Sequence, residues 1–211
     1  MNYFLEACCT SVEDVLLAIG GGASRIELCS DLSCGGVTPS QELLKEVLRI
    51  ATVPVNVMIR PVARESFTVT QEEAELMISQ IAACRELGAS GIVAGALLPD
   101  GIIDLDLIKR IVAAAAPLPV TFHKAFDACA KPLEALESLI SAGCKRLLTS
   151  GCAPTAMEGL PLLAELVSAA SGRIIIMPGG SIRPSNISRI ANATHAAEFH
   201  ASAAYYTESF I

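Results

Sequence analysis

Pro119-Val120-Thr121-Phe122-His123-Lys124-Ala125-Phe126-Asp127 passes from apolar scaffold to chemistry in one short stretch. A β-rich run, Val120 to Phe122, ends in an imidazole, an ammonium and a carboxylate, and an Ala/Leu-rich helical pattern follows from Pro132 to Ala142. In parallel α/β folds ligands bind beyond the carboxyl ends of the strands, so polar residues placed there read as a site rather than as packing.

The same unit recurs along the chain. β-rich runs fall at Tyr3 to Cys8, Arg25 to Cys29, Val53 to Arg60, Gly91 to Gly95, Val120 to His123, Arg146 to Ser150, Arg173 to Met177 and Ala197 to Ala201. Helical patterns lie between them at Ser11 to Ile19, Gln41 to Ile50, Gln71 to Leu87, Leu105 to Ala115, Leu133 to Ser141, Met157 to Ala170 and Pro184 to Ala191. The punctuation agrees: Gly20 to Gly22, Gly88 and Gly143 sit where left-handed caps end helices, and Thr70 with Glu73 has the spacing of a capping box, with Ser11 and Asp14 a weaker version. Strict alternation with eight strands predicts a single (β/α)8 TIM barrel over residues 1–211, an α/β fold that typically takes ~250 residues. The shortfall falls at the end, where Tyr205 to Ile211 leaves no room for an eighth helix, so that helix is expected to be absent or rudimentary and the bare flank covered by another subunit. The alternative that this pattern permits is an open doubly wound sheet; pairing of the first strand with the eighth separates the two.

Composition fits an apolar interior. The chain has 211 residues, of which 52% are hydrophobic, and its mean hydropathy is +0.52. The longest apolar run, Ile111 to Phe122, is broken by Pro117 and Pro119 and is shorter than the ~20 residues of a membrane span, so the apolarity belongs inside, as in parallel strands buried on both faces. A net charge of −7 and pI near 5.0, with no Lys/Arg cluster, argue against a nucleic-acid partner. Glu6 in the first apolar run and the lack of a basic start argue against a signal peptide and for the cytoplasm. Eight cysteines in a chain of this size are expected to be reduced thiols, buried or metal-binding.

The strand ends gather candidate chemistry at one rim. Alternation places Glu6, Cys8, Glu27, Cys29, Met58, Arg60, Thr121 and His123 on the interior face, and turns Cys9 toward the helices. Cys8 and Cys29 end neighbouring strands about 4.8 Å apart, which lets their sulfurs approach; soft thiolates select Cu(I) or Zn, although buried cysteine also packs as a small hydrophobe. Cys84 and Cys144 read as packing, and no CxxC or HxxxH spacing supports a zinc site. His123 and His200 are candidate acid/base groups that Glu6 or Glu27 could tune or orient, with Arg60 and Asp127 at the same rim; a self-neutralising core network of Glu6, Arg25 and Glu27 is the alternative for the carboxylates. His195 reads as a surface turn residue. Thr149-Ser150-Gly151 and Gly179-Gly180-Ser181 are small-residue strand exits, either tight turns or an anion site.

Six segments together resemble the CutC copper homeostasis family: Arg25-Ile26-Glu27-Leu28-Cys29, Gly35 to Ser40, Val57 to Pro61, Thr121 to Asp127, Leu148 to Gly151 and Glu198 to Ser202. The likeness runs in order from about Phe4 to Ser202. It implies a (β/α)8 barrel, a cytoplasmic setting, a homo-oligomer and a role in copper handling, with Cys8 and Cys29 matching the cysteines proposed as Cu(I) ligands in that family. Three departures stand out. Val62 to Phe67 replaces the family's Arg-Gly-Gly-Asp-Phe with a longer segment lacking its glycines, Lys124 stands where the family has arginine, and the family's last helix is missing. Two functions are therefore expected: cytosolic Cu(I) binding at Cys8 and Cys29, or, as the alternative, an enzyme acting on a small anionic, perhaps phosphorylated, metabolite through His123, Asp127, Glu27, Arg60 and His200.

Overall fold

The computed structural model describes residues 3–202. Eight parallel strands form a nearly closed barrel: β1 (Phe4–Cys9), β2 (Arg25–Leu28), β3 (Val55–Met58), β4 (Gly91–Ala94), β5 (Val120–Phe122), β6 (Arg146–Thr149), β7 (Ile175–Pro178) and β8 (Glu198–Ser202). Seven helices are described: α1 (Val12–Gly20), α2 (Gln41–Ile50), α3 (Gln71–Leu87), α4 (Leu105–Ala115), α5 (Pro132–Ala142), α6 (Leu160–Ala170) and α7 (Ile187–Thr194). β1 pairs with β2 on one side and with β8 on the other, which excludes the open doubly wound sheet. Among the described residues no ladder joins β7 to β8, yet a Cβ added to Gly179 would stand 3.4 Å from that of His200, so the strands are close enough to shut the barrel. The expectation about Tyr205 to Ile211 and an eighth helix lies outside the described residues.

The side-chain alternation follows from the strand period of two. Ala7, Cys9, Ile26, Leu28 and Val57 face outward into the core shared with the helices, while Cys8, Cys29, Met58 and Val93 form a separate apolar cluster inside the barrel. Every strand runs the same way, so all eight carboxyl ends open on one mouth. No helix among the described residues is long and apolar enough to cross a membrane.

Several boundaries differ from the sequence reading for local reasons. α6 begins at Leu160 because the preceding turn brings Gly159 against Ser150; a Cβ on Gly159 would lie 1.9 Å from the Ser150 carbonyl oxygen, so the turn takes only glycine there. α7 begins at Ile187, after the Asn186 side chain accepts from the Arg183 N–H and donates to the Ser181 carbonyl, a local turn that competes with helix. The end of α1 also differs: Gly21 has φ −80°, and the left-handed residue is Gly22. Gly88 and Gly143 are left-handed caps, and Thr70 with Glu73 forms both bonds of the capping box.

Candidate functional site

Charged residues fill the barrel from its amino-terminal end upward. Arg146 of β6 and Arg25 of β2 both donate to Glu198 Oε2 at 2.7 Å, and Arg25 Nε donates to Glu6 Oε2 at 2.5 Å. Asn56 Nδ2 adds a bond to the same Glu6 oxygen, and Glu6 Oε1 lies 2.9 Å from His200 Nδ1. The network is thus Arg146–Glu198–Arg25–Glu6–His200, and Glu27 is not part of its hydrogen-bonded chain. Burial alone would raise the Glu6 carboxyl, but the hydrogen bond and charge of His200, followed by those of Arg25, hold it below the usual carboxylate range. Burial works the other way on His200, and the charges of Glu27 and Glu6 raise it despite that.

One step nearer the mouth the register sets Cys8 beside Glu27 on β2 and Ser202 on β8. The two thiols meet: Cys8 Sγ and Cys29 Sγ are 3.4 Å apart and unbonded. Ligand atoms of Cys8, Glu27 and His200 all lie within 4.8 Å of one another, and the Met58 thioether packs in the same cluster as the two cysteines. Since Glu6 holds His200 Nδ1, Nε2 is the ring nitrogen left to ligate. The hydrogen bond with Cys29, burial and the Glu27 charge raise Cys8 well above the usual thiol range. Burial pushes Glu27 up to about 7, and its Oε2 has no hydrogen-bond partner. These donors are a mixed sulfur, carboxylate and imidazole set of the kind that binds a thiophilic metal ion, with a resident proton on the Cys8 thiol that binding must displace.

A cleft of about 510 Å3 opens above them. Cys8, Glu27, Arg60, His123 and His200 all line it, which brings five of the residues singled out from the sequence to one place; Cys29 stands behind Cys8, and Gly180 and Ser181 form part of the wall. Arg60 Nη atoms donate to the carbonyls of Cys34, Gly36 and Arg64. Phe67, delivered by the segment after β3, has its ring centre 5.2 Å from the Arg60 guanidinium carbon and 5.4 Å from the His123 ring centre. His123 Nδ1 accepts from the Ala125 N–H and so caps the short helical turn Lys124–Ala128. Burial first, then the Arg60 charge, lowers His123 to about 4.

Asp127 sits apart from the thiols. Its carboxylate accepts from the backbone N–H groups of Ser150 and Cys152, the hydroxyls of Thr149 and Ser150, and Lys124 Nζ. The exit of β6, Thr149-Ser150-Gly151, is therefore an anion cradle whose anion is the chain's own. Gly179 packs against Leu148 and His200. Of the two carboxylates offered by the sequence to orient a histidine, Glu6 is the one that bonds His200; the pairing of Asp127 with the β6 exit was not read from the sequence, though its proximity to a loop of small residues is the signal that could have found it. His195, with φ 59°, caps α7 at the surface.

The CutC family model matches residues 3–205. The chain belongs to the CutC family. A mouse relative, named copper homeostasis protein cutC homolog, is 48% identical over 202 residues, covering 96% of this chain and 74% of that one. A solved Streptococcus agalactiae structure described as a copper homeostasis protein CutC is 30% identical, with a TM-score of 0.89 over 96% of this chain and 99% of that one. A solved aldolase, 18% identical, matches 96% of this chain and 90% of its own with a TM-score of 0.68, and shares the fold. Within the CutC pattern, Lys124 uses its single ammonium to join Asp127 and Ser150 at 2.8 and 2.9 Å, where a guanidinium fork would not converge in the same way.

Proposed function

We propose that this CutC-family chain binds and hands on Cu(I) at Cys8 and Cys29, with Met58, Glu27 and His200 available to complete or exchange the coordination. The observation that carries this reading is the 3.4 Å approach of two unbonded thiols at the carboxyl ends of adjacent strands. Thiolate and thioether donors favour soft ions such as Cu(I) and Zn, and the copper homeostasis names of the relatives point to Cu(I) of the two. The copper is cargo: cysteine holds it as thiolate, and the hydrogen bond with Cys29 followed by burial keeps Cys8 above the usual thiol range, so binding releases a proton and affinity falls as pH falls. The proposed setting is the cytoplasm, where such thiols stay reduced.

Competition against a Cu(I) chelator under reducing conditions is expected to give one Cu(I) per chain, lost in the Cys8→Ser/Cys29→Ser double variant. Undiminished Cu(I) binding by that variant would sink the reading. A zinc(II) titration run alongside is expected to show weaker competition at neutral pH, because the cluster offers more sulfur than oxygen or nitrogen.

Self-association belongs to the same proposal. Leu16 and Leu17 of α1, the helix after β1, are 55% and 45% exposed, and covering such side chains favours pairing of copies. Sedimentation equilibrium at micromolar concentration is expected to show an oligomer that Leu16→Glu/Leu17→Glu dissociates; a wild-type monomer would refute it.

A further inference from the structure

A metal ion held by two sulfurs needs little room, yet the cleft above them measures about 510 Å3, within the range of small-molecule sites. Two of its wall atoms are the ones a ligand would satisfy. His123 is 4% exposed, and its Nδ1 accepts the Ala125 N–H, so the neutral ring carries its hydrogen on Nε2; that Nε2 is buried without a partner. A buried donor left unpaired is costly, and a ligand acceptor would recover that cost. Arg60 is the second. Its hydrogen bonds go to backbone carbonyls, which fix the guanidinium in place without neutralising it; of the other wall cations, Arg64 and Lys124 are paired with Glu73 and Asp127, and Arg183 donates to the Ile182 carbonyl. Phe67 lies against both Arg60 and His123 and lines the same cleft.

We propose that Arg60 and His123 form a seat for the carboxylate of a small organic acid, whose remaining atoms occupy the cleft over the thiols. A planar two-oxygen anion matches a guanidinium plus one imidazole N–H. Phosphate is disfavoured because the backbone N–H cradle that would serve it, at the β6 exit, is filled by Asp127. The His123 ring remains neutral through the physiological range, so it acts as a hydrogen-bond donor and not as a second cation. The seat does not depend on copper: neither Arg60 nor His123 belongs to the sulfur cluster.

Isothermal titration of the metal-free protein with succinate and citrate is the test, with succinamide and inorganic phosphate as controls. The expected result is saturable binding of a carboxylate and none of succinamide or phosphate. His123→Asn keeps an oxygen where Nδ1 accepts the Ala125 N–H but removes Nε2, so the turn stays folded and carboxylate affinity is expected to fall about tenfold or more. Arg60→Lys retains charge without the fork and is expected to weaken binding as well. The Cys8→Ser/Cys29→Ser variant, which tests copper, is expected to bind carboxylate as the wild type does. No carboxylate binding at millimolar concentrations, equal binding of phosphate, undiminished binding by His123→Asn, or loss of binding in the cysteine variant each overturns the seat.

Discussion

Glu6→Leu is expected to cost the fold about 3–5 kcal/mol, a large part of the net stability of an ordinary domain. Glu6 is fully buried and accepts from Arg25 at 2.5 Å, from Asn56 and from His200. Leucine fills a similar volume but leaves the Arg25 guanidinium, itself 3% exposed, with Glu198 and the Met177 sulfur as its partners. The penalty comes from a stranded charge rather than a lost contact, so the double variant Glu6→Leu/Arg25→Met is expected to recover part of the loss. Urea unfolding midpoints of the wild type and the two variants measure this; a single variant within about 1 kcal/mol of wild type would show that the buried chain of charges contributes little. A functional consequence accompanies it. Without Glu6 nothing holds His200 Nδ1, so the imidazole beside Cys8 and Glu27 loses its orientation, while the Glu27 charge continues to raise its basicity.

The barrel was legible because local signals agreed. A continuous apolar run such as Ile92-Val93-Ala94 requires burial on both faces, and caps such as Thr70 with Glu73 and glycines 88 and 143 fixed where helices start and stop. Strand parity placed Cys8 and Glu27 inward and Cys9 outward, since the period of two leaves one choice once Glu6 and Glu27 are read as interior. What the sequence left open, such as which carboxylate orients which histidine, depends on partners far apart in the chain. His200 and Glu6 are 194 residues apart and meet because β8 closes on β1 in register. Glu27 was expected to share in a core network with Arg25; instead Arg25 turns to Glu198, a residue whose inward aim at the start of β8 no local pattern announces. The start of α7 was missed for a shorter-range reason, because side-chain bonds of Asn186 to Ser181 and Arg183 are not visible in a periodicity.

Asp127→Asn is expected to lower stability by about 2–3 kcal/mol at pH 7 and by progressively less in acid. The carboxylate accepts two backbone N–H bonds, two hydroxyl bonds and the Lys124 ammonium, and it thereby ties the turn after β5 to the exit of β6. Asparagine matches its shape but offers one oxygen and no charge, so N–H groups that a carboxylate satisfies face an amide nitrogen instead. Burial would raise the Asp127 carboxyl, but the charge and hydrogen bond of Lys124, then the bonds from Thr149 and Ser150, hold it below its ordinary value. A folded-state value below the unfolded one, about 3.9, means the unfolded chain takes up its proton first as pH falls. The stabilisation is accordingly whole at neutral pH and down to about pH 5, and is lost below about pH 4 as the folded carboxylate is titrated. Urea midpoints of wild type and variant at pH 7, 5 and 3 are expected to show a gap that holds between the first two and narrows at the third. A gap of the same size at pH 3, or none at pH 7, would mean that Asp127 is not the anion that completes the β6 cradle, and would reopen that loop to an anion from solution.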